Sequence, residues 1–162
     1  MGLPWLHPTT YQRDVSVSYN KLADLASEAG QGEQAQALYR QALTIREALA
    51  AAEPGNTTYQ RDVSISYERL ADLASEAGLA GEARRYFTLA AGVRRALHRQ
   101  EPRRVDLAEE LGVTVYLLSG SSDDSLDARR EVIDVLAPFE QEGSITPKGI
   151  ALLNWARKPP GS

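Results

Sequence analysis

Residues 9–30 read TTYQRDVSVSYNKLADLASEAG, and residues 57–78 read TTYQRDVSISYERLADLASEAG. Only Val17/Ile65, Asn20/Glu68 and Lys21/Arg69 differ, at a constant offset of 48 residues. The register runs on without a gap: Ala35 falls on Ala83, Tyr39 on Phe87, Ala42 on Ala90, Ile45 on Val93, Leu49 on Leu97, and Glu53-Pro54 on Glu101-Pro102. A fixed period of this kind marks an architecture of stacked units, each burying its apolar face against a neighbour.

Within a unit the apolar residues are spaced for helices. Val15, Tyr19, Leu22 and Ala26 recur at steps of three and four, as do Ala35, Leu38, Ala42, Ile45, Leu49 and Ala52. Such steps place side chains on one helix face, so each unit is predicted to be two amphipathic helices. Gly30 and Gly32 separate the two in the first unit, and Gly78 and Gly81 in the second; glycine ends a helix by entering the left-handed backbone region. Between units stand Pro54-Gly55-Asn56-Thr57-Thr58 and Pro102-Arg103-Arg104. Proline cannot continue a helix there, and threonine is expected to cap the next one.

In the same register Leu107, Leu111, Val113, Val115 and Leu118 fall on Tyr59, Val63, Ile65, Tyr67 and Leu70, a degenerate third first-helix. The run Ser119-Gly120-Ser121-Ser122-Asp123-Asp124 breaks it; removing about three positions then aligns Ala128, Val132 and Val135 with Ala83, Phe87 and Ala90. Thr146-Pro147 starts a short helix, proline being tolerated at the first helical position, with Ile150, Leu153 and Trp155 as its partly apolar face. The expectation is one all-α domain over residues 1–162: repeat 1 over about 9–56, repeat 2 over about 57–104, a degenerate repeat 3 over about 105–143 and a capping helix over about 146–158. Gly2 to Pro8 aligns with the tail of a unit, Ala50 to Asn56, as in an excerpt from a longer array.

Composition agrees. Of 162 residues, 43% are hydrophobic and only 7% aromatic, which supplies a core and favours helix over sheet. Eighteen basic against 22 acidic side chains leave a net charge of −4, the wrong sign for a general nucleic-acid binder. With no cysteine there is no disulfide, thiolate nucleophile or Cys-based zinc site, which fits a reducing cytoplasm. The longest strongly apolar stretch, residues 113–118, falls far short of a membrane span, and the N-terminus lacks a basic region followed by an apolar core. A cytoplasmic chain with no membrane partner is expected.

The first unit gives Tyr19-x2-Leu22-Ala23-x2-Ala26, then Ala35-x3-Tyr39 and Ala42; the second gives Tyr67-x2-Leu70-Ala71-x2-Ala74, then Ala83-x3-Phe87 and Ala90. This pattern resembles the tetratricopeptide repeat, nearly throughout the chain and most closely over residues 9–102. The usual unit is about 34 residues; the longer one here is similar to the extended bacterial form. The resemblance implies a right-handed superhelical solenoid of antiparallel helix pairs, three hairpins plus a cap. In it Ala23, Ala35, Ala71 and Ala83 let helices approach, while Tyr19, Tyr39, Tyr67 and Phe87 fill the space between pairs. It also implies association rather than catalysis: a scaffold or adaptor module, of the kind joined as a sensor segment to bacterial signalling NTPases or proteases.

In this family the first helix of each pair lines a concave surface. The resemblance therefore points to Val17, Asn20, Lys21, Asp24 and Glu28, to their counterparts Ile65, Glu68, Arg69, Asp72 and Glu76, and to Tyr116 as an aromatic anchor. The carboxylates make that stripe acidic and favour a basic or amphipathic peptide or helix of a partner protein; the Lys and Asn clamp for chaperone tails is not matched. The plainer alternative is a solvated helix face with pairs such as Arg69 and Asp72. A second functional class is self-association, in which the apolar terminal face of an incomplete array makes the chain a homo-oligomerisation module.

Chemistry has little foothold. His7 and His98 have no metal-ligand spacing, and there is no phosphate-cradling loop, nucleophile elbow or plausible Ser, His and Asp constellation. The expectation is no enzyme, no catalytic residue, no cofactor and no metal. Arg94, Arg95, Arg99 and Arg103 suggest phosphate contacts, but Glu101 and Asp106 dilute them and no aromatic platform accompanies them, so a solvated face is expected rather than a nucleic-acid site.

Overall fold

Apolar steps of three and four, broken every twenty or so residues by glycine or proline, leave the chain one way to bury its apolar stripes: helices that fold back on one another. The computed structural model describes residues 8–120 and 126–159. Among these there are seven helices and no strand: α1 (Pro8–Glu28), α2 (Gly32–Ala52), α3 (Thr57–Glu76), α4 (Ala80–Gln100), α5 (Val105–Ser119), α6 (Leu126–Gln141) and α7 (Pro147–Arg157). Residues 1–7, with His7 and the leader, lie outside the described residues, as do 121–125 in the Ser-rich break. No helix among the described residues is long and apolar enough to cross a membrane.

The hairpin turns are duplicated as faithfully as the helices. Gly30 and Gly78 share φ +73°, a left-handed backbone that a side chain would strain. At each, the following amide reaches back to close the helix: Gln31 N–H donates to Ala26 O and Leu79 N–H to Ala74 O, both at 2.8 Å. The cap of α3 differs from the expected threonine. Asn56 sits extended before the helix and its side-chain oxygen accepts from Thr58 N–H (3.1 Å) and Tyr59 N–H (3.3 Å), while Thr57 is already helical.

The chain divides into two compact units, residues 1–90 and 91–162, with the division inside α4. In the first, α2 packs against both α1 and α3. Asp24 meets Tyr39 and Ser16 meets Arg46, so α1 and α2 run antiparallel. Ala23, Ala26, Ala35, Tyr39 and Leu70 form the core, with Leu38, Leu43, Leu73 and Tyr86 packed against it. The Tyr67 and Tyr86 rings stack with centroids 6.4 Å apart. The buried face of α1 is Ser16, Asn20, Ala23 and Ala26, whereas Leu22, expected in the core, is exposed. On α2 the buried stripe runs through Arg46 instead of Ile45, and Ala52 is exposed.

In the second unit α5, α6 and α7 pack on one another around Leu111, Val115, Val132, Leu136, Phe139 and Leu153. Gly112 lets α6 and α7 close in, since a Cβ there would lie 3.2 Å from Leu136 and 3.3 Å from Leu152. Helix α7 buries Leu152, Leu153 and Ala156 and turns Ile150 outward, so the expected face is rotated. Thr146 caps it, and the buried Glu109 carboxylate of α5 accepts from Thr146 N–H at 2.9 Å, a negative charge at the positive end of a helix dipole.

Candidate functional site

Duplicating a helix duplicates its charges, and in the first unit the two sets face the same space. Asp24, Ser27 and Glu28 of α1 line a cleft of 360 Å³ with Tyr39 of α2 and Arg69, Asp72, Leu73, Ser75 and Glu76 of α3. A second cleft, of 520 Å³, shares Ser27, Leu73 and Glu76 and adds Glu33 and Gln36 with the turn glycines Gly30 and Gly32. Among the described residues, the walls together present five carboxylates, Asp24, Glu28, Glu33, Asp72 and Glu76, against one guanidinium, Arg69.

Hydrogen bonding orients part of this wall. The Tyr39 hydroxyl donates to Asp24 Oδ1 at 2.5 Å, and Arg69 Nε stands 3.9 Å from the same oxygen. Burial and the bond to Asp24 raise the Tyr39 pKa, so the phenol remains a donor and Asp24 holds one rotamer. Glu28 and Glu76 are exposed. An apolar floor at Leu73 and Ala74 beneath acidic walls suits the stem and head of a lysine or arginine side chain.

Of the sequence-predicted residues, Asp24, Glu28, Arg69, Asp72 and Glu76 come together here. Asn20 does not: it is buried, and with its amide oxygen turned to the guanidinium it accepts from Arg46 Nη1 at 2.9 Å and Nη2 at 3.1 Å. A side chain so engaged holds helices together rather than meeting a ligand. Lys21 is exposed, Glu68 half-buried, and neither lines a cleft. Tyr116 belongs to the second unit, where its exposed ring meets Trp155 edge to face at 4.9 Å and Arg129 lies over the same Trp155 ring.

The sequence reading passed over Arg46 and placed Arg94 on a solvated face, whereas both are buried. Arg46 donates to Ser16 Oγ (3.2 Å), to Asp62 O (3.1 Å) and to Ser66 Oγ (2.9 Å). Burial lowers its pKa, yet a guanidinium this basic remains charged. Forty-eight residues on, Arg94 donates to Glu110 O (3.1 Å) and to Thr114 Oγ1. The signal was available: an arginine at one register position in both copies, in the middle of an apolar stripe. Arg94 is thus taken out of the basic stretch, as is Arg95, whose fork meets Glu131 at 2.5 and 2.8 Å. Nor do three His, Cys, Asp or Glu side chains gather as a metal site among the described residues.

Comparison with protein-family models, with characterised proteins and with solved structures finds no match to this chain.

Proposed function

We propose that the acidic clefts of the first unit bind a basic or amphipathic segment of a partner protein, and that the chain is a non-catalytic interaction module of the tetratricopeptide kind. The observation that carries this reading is the five carboxylates against one guanidinium around two adjoining clefts, which complement a lysine- or arginine-bearing helix and speed its encounter. Identical glycine turns at Gly30 and Gly78 and the repeated arginine joints support a tandem repeat of helix pairs; the right-handed solenoid with these helices on its concave side is part of the same proposal. In this reading the chain performs no chemical step, needs no cofactor and works in the cytoplasm as the adaptor or sensor part of a larger signalling protein.

The experiment is affinity capture with chemical cross-linking, comparing the native chain with a Glu28→Arg/Glu76→Arg variant of equal helicity. Both residues are exposed, so the substitutions spare the core. A partner held by the native chain, cross-linked next to Asp72 and lost from the variant, supports the reading. A partner retained equally by both overturns it.

A further inference from the structure

The 48-residue register sets α1 on α3, and α3 on α5. Two of these three helices are gripped by an arginine from the helix before. On α3 the grip comes from Arg46 of α2, through Asp62 O and Ser66 Oγ. On α5 it comes from Arg94 of α4, through Glu110 O and Thr114 Oγ1. Both are the same three register positions. In the second grip the acceptors are themselves linked, Thr114 Oγ1 donating to Glu110 O at 3.0 Å.

The matching positions on α1 are Asp14 and Ser18, and Ser18 Oγ donates to Asp14 O at 3.0 Å. The acceptor pair is therefore already arranged as in the second grip, where Glu110 O accepts from Thr114 Oγ1 and from Arg94 as well. Around it, Tyr11, Asp14, Val15, Ser18, Tyr19 and Leu22 line a groove of 230 Å³, and Tyr11, Leu22 and Leu25 are exposed. Tyr59, Val63 and Leu70, the counterparts of Tyr11, Val15 and Leu22, are buried, with α2 packed on their helix. Next to Arg46, the Glu47 carboxylate accepts from the Tyr67 hydroxyl at 2.6 Å; Tyr19 holds that position on α1.

We infer that this face of α1 docks an amphipathic helix of a partner protein that carries an arginine midway along its apolar stripe and a carboxylate beside it. The arginine fits Asp14 O and Ser18 Oγ, the carboxylate fits the Tyr19 hydroxyl, and the apolar residues cover Tyr11 and Leu22. A second copy of the chain is a poor occupant, because Arg46 and Arg94 are both buried within their own fold and the aligned position on α6 is Phe139. This face lies apart from the acidic clefts, whose α1 residues are Asp24, Ser27, Glu28 and Gly30.

The probe is a labelled peptide with the sequence of residues 32–53, blocked at both ends. It is held helical by a hydrocarbon bridge between positions 37 and 41, both exposed on α2. Titrated against the full chain by fluorescence anisotropy, it should bind with one-to-one saturation. Replacing Arg46 of the peptide by citrulline, which keeps the shape and removes the charge, should weaken binding at least about tenfold. A Leu22→Asp chain of unchanged helicity should lose binding, while Glu28→Arg/Glu76→Arg should retain it, which separates this face from the clefts. Absence of saturable binding, or binding indifferent to citrulline or to Leu22→Asp, overturns the inference. So does a dimer of the chain alone that Leu22→Asp dissociates, because the face would then be filled by a second copy.

Discussion

Helices α1 and α3 share nearly every residue and live in different surroundings. Tyr11 is 62% exposed and Tyr59 8%; Leu22 is 53% exposed and Leu70 1%. The side chains, their spacing and the closing glycine turn are the same, so the difference comes from α2, which packs on one face of α1 and on a different face of α3. Local sequence decides that a helix forms and which stripes are apolar. The neighbour decides which of those stripes becomes core.

Matched substitutions in the two copies turn this into measured free energies. The largest contrast is leucine: Leu70→Ala should lower unfolding stability by about 3 kcal/mol, as expected when a fully buried leucine is truncated, while Leu22→Ala should stay within about 0.5 kcal/mol. Urea denaturation followed by helical circular dichroism reads both, and equal losses would mean that the Leu22 face is covered in solution. The next contrast is serine. Ser66→Val removes a buried acceptor from Arg46 and should cost about 2 kcal/mol; Ser18→Val should be near neutral by the same measurement.

Glycine should sharpen the comparison by showing no contrast. Gly30→Ala and Gly78→Ala force the same φ of +73° onto a side chain in open space, so each should cost about 1 kcal/mol. The smallest expected effect is that of His98, which the two copies do not share. Burial holds its imidazole below the ordinary 6.5, so the folded chain takes up that proton less readily than the unfolded one. Its contribution is complete above about pH 6.5 and declines as pH falls toward the depressed folded value. Thermal melts between pH 7 and pH 5 should show a slight fall that His98→Gln flattens. Glu140, lowered by its bond to Arg157, titrates below 4.5 and so falls outside this window.

Much of the fold was legible because its signals are local. The three- and four-residue steps and the glycine and proline breaks predicted helices that the structure places at Pro8–Glu28, Gly32–Ala52, Thr57–Glu76 and Ala80–Gln100. The acidic stripe was legible for the same reason, since Asp24 and Asp72 share one register position. What escaped depends on neighbours. Asn20 looks like a surface residue until Arg46 is set beside it, and Leu22 looks like core until its covering helix is sought. An arginine inside an apolar stripe reads as an interruption, because sequence alone does not display the main-chain oxygens waiting for it.

Those oxygens bear on how such a chain changes over time. Each arginine joint takes hold of a peptide carbonyl, a group that every residue supplies, together with a hydroxyl that serine or threonine provides equally well. Between the two joints Asp62 has become Glu110 and Ser66 has become Thr114, and the grip is the same. A connection written into the backbone survives the drift of the side chains around it, so whole units can be gained or lost as interchangeable parts while their surfaces diverge.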